Sequence, residues 1–108
     1  MTVAVLVMVV ALVLHCVAAK TVSRENRDRL LPTTLGPYPV RPARKVRRLQ
    51  TIGWLLSLWA ALRIAGVFWS TQPWLGMGLA VLAILVINGA PSLIVTLMHN
   101  RRVDPSLI

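Results

Sequence analysis

Apolar residues in this chain gather in three long blocks, with no alternation of apolar and polar positions inside them. Residues 2–19 are 18 positions without a charge, residues 52–69 are 18 with one charge, and residues 74–98 are 25 with none. About 20 apolar residues in a helix cross a hydrocarbon core of roughly 30 Å. Within such a core a helix also satisfies its own backbone N–H and C=O groups, which no open loop does. The pattern therefore predicts an all-α integral membrane protein with three transmembrane helices. They fall at 1–19, 51–70 and 74–98, joined by a basic loop at 20–50 and a turn at 71–73, with a tail at 99–108. So short a turn makes the second and third helices an antiparallel hairpin.

Composition agrees. Of 108 residues 56% are hydrophobic and 14% charged, and three spans leave no chain for a separate globular core. The first block resembles a signal-peptide core, with Val17-Ala18-Ala19 in the place of a cleavage site. A secretory signal begins with a positive n-region, and no Lys or Arg precedes Lys20. His15 is also a poor fit for the small residue that precedes a lipidated cysteine, here Cys16. The expectation is a retained first helix.

Charge sets the orientation. Nine of the twelve Lys and Arg residues lie between Lys20 and Arg48, against Glu25 and Asp28, giving that stretch a net +7. Basic loops stay cytoplasmic, which predicts an N-out, C-in protein, placed by these signals in a bacterial inner membrane. Arg41, Arg44, Lys45, Arg47 and Arg48 sit beside the second span and are expected to meet anionic headgroups of the cytoplasmic leaflet. The overall net charge of +9 finds its reason there, so no nucleic-acid partner is expected. Residues 23–31 are able to extend the first helix through the i,i+4 pairs Arg24–Asp28 and Glu25–Arg29. Residues 32–42, with four prolines, read as a polyproline-like link. Trp69 and Trp74 bracket the outer turn at interfacial depth.

Several residues within the spans need a reason. Arg63 is the one charge inside a block, six residues from Trp69 and so roughly 9 Å below the outer interface. It either snorkels and stacks on Trp59 or pairs with a group on another subunit, and Trp59, Arg63 and Gly66 share a face free for a partner. Gly53, Ser57, Ala61 and Ala65 recur every four residues, and Gly76, Ala80, Ala83 and Ala90, with Ile87, form a second small-residue stripe. Such stripes let membrane helices approach closely, so the two are expected to face each other. Asn88, Gly89 and Pro91 interrupt the third span, where Pro91 removes the bond to the Ile87 carbonyl and is expected to kink the helix. His15 and His99 are weak candidates for haem or pigment ligation and are more simply interfacial.

No constellation of nucleophile, base and acid is present, so a non-catalytic protein without a cofactor or a small-molecule substrate is expected. A proton-coupled exporter needs a carboxylate within the membrane, and the blocks hold none. A three-helix holin matches the length and topology, but not the 31-residue loop at 20–50. The phrase Leu49-Gln50-Thr51-Ile52-Gly53-Trp54-Leu55-Leu56 resembles small three-helix inner-membrane proteins encoded near bacterial iron-uptake genes. It spans eight residues and carries over no residue role. The leading expectation is an accessory or scaffold subunit of a larger inner-membrane complex, associating with other membrane subunits or with itself.

Overall fold

The computed structural model describes residues 1–32 and 41–104, all in helices or short connections. Helix α1 spans Thr2–Glu25, α2 Arg44–Phe68 and α3 Pro73–Val103. Each is long and apolar enough to cross a membrane. They pack pairwise into a bundle of about 51 × 29 × 21 Å.

Side-chain placement is the reverse of that in a water-soluble bundle. Large apolar residues point outward, among them Leu62, Leu85 and Val3 at 73%, 65% and 62% exposure. Many of the buried positions hold small residues: Ala4, Ala11 and Ala18 on α1, Gly53, Ser57, Ala60 and Ala61 on α2, and Gly76 and Ala80 on α3. Lipid tails are as apolar as leucine, so burying leucine gains nothing there, whereas small side chains admit close backbone packing. Three such helices with their apolar bulk outward indicate a membrane protein.

The α1 seam was not among the stripes expected from the sequence. Ala4, Ala11 and Ala18 repeat every seven residues, and His15 and Val22 complete the buried face. At one end Ala4 packs with Ala60 and Ile64, flanked by Val7, Met8 and Phe68. At the other, Ala18 and Val22 pack with Val46 and Leu31. On α2 and α3 the expected stripes are used in part. Gly53, Ser57, Ala61, Gly76, Ala80 and Ile87 are buried, while Ala65, Ala83 and Ala90 are half-buried. Gly76 lies against Ala65 and Phe68, where a Cβ would meet Phe68 Cβ at 2.8 Å and the Ala65 carbonyl oxygen at 3.2 Å.

Helix limits exceed the apolar blocks. Arg44, Lys45, Arg47 and Arg48, expected in the loop, form the first turns of α2. Helix α1 stops at Glu25, so neither Arg24–Asp28 nor Glu25–Arg29 forms as an i,i+4 pair; residues beyond Glu25 leave the helix after Asn26 caps it onto the Val22 carbonyl. Helix α3 stays helical through Pro91, which is buried. Most of the expected proline-rich link (33–40) and the end of the tail (105–108) lie outside the described residues.

Candidate functional site

Polar residues meet inside the bundle at two levels. The deeper one joins all three helices. His15 of α1 is buried between the helices at 6% exposure. Its ring lies against Gly53 of α2, where a Cβ would stand 2.6 Å from Nε2. Only glycine leaves room for an imidazole between the two backbones. One turn further along α2, the Ser57 hydroxyl donates to the Trp54 carbonyl (2.9 Å) and accepts from Asn88 Nδ2 of α3 (2.9 Å). Asn88 Nδ2 also donates to the Ile84 carbonyl (2.9 Å), which uses both amide hydrogens. The Asn88 amide approaches the His15 ring as well. Asn88 Oδ1 and His15 Nε2 are each buried without a partner in hydrogen-bond geometry, as is Glu25 Oε2 at the end of α1. Asn88 therefore cross-links the bundle, beyond the helix-interrupting role expected of it. The neighbouring Gly89 faces open space.

The second level ties the end of α3 to the chain that leaves α1. His99 Nε2 is 2.6 Å from the Arg29 carbonyl, which only accepts, so Nε2 carries the proton. Nδ1 then accepts from the Ser23 hydroxyl at 2.6 Å. Next to it, Asn100 Oδ1 accepts from the Leu31 N–H (2.6 Å) and Asn100 Nδ2 donates to the Leu31 carbonyl (2.8 Å). One side-chain amide thus replaces a strand neighbour for a buried backbone residue, which no sequence motif announces.

The two histidines occupy separate levels. His99 bonds Ser23, which is eight residues and about 12 Å along α1 from His15. With both His99 nitrogens engaged, the pair presents no common face to a haem. Among the described residues no group of three or more His, Cys, Asp or Glu side chains is placed to hold a metal ion.

Arg63 projects from the outer surface of the bundle, with its guanidinium carbon 5.7 Å from the centre of the Trp59 ring. Trp59 is exposed beside it, and Gly66, one turn on, faces open space. Residues of the Ala4 level surround this part of α2, whereas Glu25, Asp28 and Asp104 all lie at the other end of the bundle. About twenty residues of α1, roughly 30 Å, separate the two levels. The remaining eleven Lys and Arg residues collect at that far end, on the end of α1, the connection that follows it, the start of α2 and the end of α3.

No protein-family model, curated protein or solved structure matches this chain.

Proposed function

We propose that this protein is a small, non-catalytic accessory or scaffold subunit of a larger inner-membrane complex, and that the face formed by Trp59, Arg63 and Gly66 receives the partner. The observation that carries this reading is the outward placement of Arg63 on a helix whose other exposed span residues are almost all apolar. A cation at this depth is costly in hydrocarbon, and charges inside membrane spans tend to pair or to mark function. The Trp59 ring offsets part of that cost, by about 0.5–1 kcal/mol at an exposed site. Gly66 leaves space beside the guanidinium into which a neighbouring helix fits, so the partner is a membrane helix carrying a carboxylate or a carbonyl-rich turn.

In this reading the protein lies N-out and C-in, with α2 and α3 as an antiparallel hairpin. The Gly76–Ala65 and Asn88–Ser57 contacts support the hairpin, and the gathering of eleven cations at one end supports the orientation. Four cations at the N-terminus of α2 oppose the helix dipole, since α2 has no acid in its first turn. Anionic headgroups of the cytoplasmic leaflet offset that repulsion.

The test is gentle detergent extraction of the native protein followed by native mass measurement. The expected result is a defined assembly that dissociates with Arg63→Ala while α1–α3 remain folded by circular dichroism. A monodisperse monomer, or an assembly indifferent to Arg63→Ala, overturns the subunit reading. Rapid depolarisation of the membrane on expression would instead support a holin.

A further inference from the structure

An open groove of about 1280 Å³ runs between the ends of α1 and α3. Lys20, Arg24 and Arg27 line one wall and Arg101 and Arg102 the other, with Asp28 as the one acid, a net of +4. All five cations are exposed. Val95, Met98 and Val103 of α3 contribute apolar surface to the groove, and the hydrogen-bonded pair Ser23 and His99 lies in the lining. The helix ends account for part of this charge, because Arg24, Arg101 and Arg102 lie in last turns where the dipole favours cations. Lys20 and Arg27 lie outside those last turns and face the same space.

The position of the groove along the bundle identifies its occupant. Lys20 is the first charge after the apolar block of α1, and Arg101 the first after that of α3. The groove therefore straddles the boundary between hydrocarbon and headgroups. Its apolar part, Val95 and Met98, belongs to the block that enters the membrane. A soluble anion would use the cations and leave that surface bare. A zwitterionic lipid would place its own cation among five others. We propose that this groove binds one anionic phospholipid, its phosphate held between Lys20, Arg24 and Arg27 on one side and Arg101 and Arg102 on the other, with an acyl chain along Val95 and Met98. The site is distinct from the basic start of α2 and from the Arg63 face, and it stands whether or not a partner protein docks there.

The experiment is native mass spectrometry of the full chain in mild detergent, titrated with phosphatidylglycerol, with phosphatidylcholine, and with phosphatidylglycerol plus excess inorganic phosphate. The expected result is one tightly retained phosphatidylglycerol, bound at least tenfold more strongly than phosphatidylcholine and not displaced by inorganic phosphate. The exposed double variant Arg27→Gln/Arg102→Gln should weaken it at least fivefold. The full set Lys20→Gln/Arg24→Gln/Arg27→Gln/Arg101→Gln/Arg102→Gln should abolish it with helicity unchanged. The control Arg44→Gln/Lys45→Gln/Arg47→Gln/Arg48→Gln should retain it within about threefold. Equal loss in the control, equal retention of phosphatidylcholine, displacement by inorganic phosphate, or a double variant that binds like the wild type each overturns the proposal. If the five-site variant does not fold, the double variant decides.

Discussion

The imidazole of His15 rests against the bare Cα of Gly53, with room for no additional carbon: a Cβ there would lie 2.6, 2.9 and 3.1 Å from Nε2, Cδ2 and Cε1 of the ring. This contact brings α1 onto α2 at the level where Asn88 of α3 joins them. Gly53 is a position on which the approach of α1 to α2 directly depends.

Gly53→Ala should therefore destabilise the bundle by about 1–3 kcal/mol, the usual cost of an added carbon in a packed interior. The measurement is reversible unfolding in mixed micelles. The double variant Gly53→Ala/His15→Ala should recover much of the loss, because truncating the ring vacates the space the methyl needs. Additive effects would show that the clash is relieved elsewhere.

The glycines should divide sharply. At Gly76 the added methyl meets backbone and Cβ atoms of Ala65 and Phe68, which have no rotamer to turn away. Gly76→Ala is expected to cost about 1–3 kcal/mol as well. At Gly66 nothing lies within 4 Å, and Gly66→Ala should be neutral or stabilising, by up to about 1 kcal/mol from helix propensity. The same unfolding assay checks both. A destabilising Gly66→Ala in the isolated chain would count against this packing.

Asn88→Leu removes the bond to Ser57 and the amide that approaches His15. Hydrogen bonds between membrane helices average about 0.6 kcal/mol and reach about 1.7, and a loss in that range is expected. Ser57→Ala should cost less on the Asn88→Leu background than in the wild type, since the shared bond is already gone. Equal costs in both backgrounds would dissolve the proposed coupling.

Asn100→Leu leaves both the N–H and the carbonyl of buried Leu31 without partners. Each orphan costs roughly 1–3 kcal/mol locally. Amide exchange at Leu31 should accelerate at least tenfold, with little change in the middle of α2. Asn100→Asp keeps an acceptor for the Leu31 N–H and loses the donor, so an intermediate rate is expected. Unchanged exchange in both variants would mean that the segment is held by the Val46 and Val22 packing alone.

Much of this protein was legible in its sequence, because the decisive free energies there are local. Twenty apolar residues prefer hydrocarbon whatever surrounds them, so the three helices follow from composition and length. Small residues at helical spacing name a packing face, and Gly53, Ser57 and Gly76 are indeed buried. The seven-residue repeat of Ala4, Ala11 and Ala18 was equally visible and equally meaningful. Helix ends were less legible, since basic residues continue a helix beyond its apolar block, as Arg44 to Arg48 do.

Which faces meet, and at what depth, was decided by the tertiary structure alone. Periodicity assigns a residue to a face but not to a partner, and the partners here stand far apart in sequence. Asn88 meets Ser57 across 31 positions, His99 meets Ser23 across 76, and Asn100 meets the Leu31 backbone across 69. Sliding α3 by a single turn would preserve every stripe and break all three contacts. The close fit of His15 on Gly53 and of Gly76 on Ala65, where steric repulsion rises within a few tenths of an ångström, fixes that register together with these hydrogen bonds.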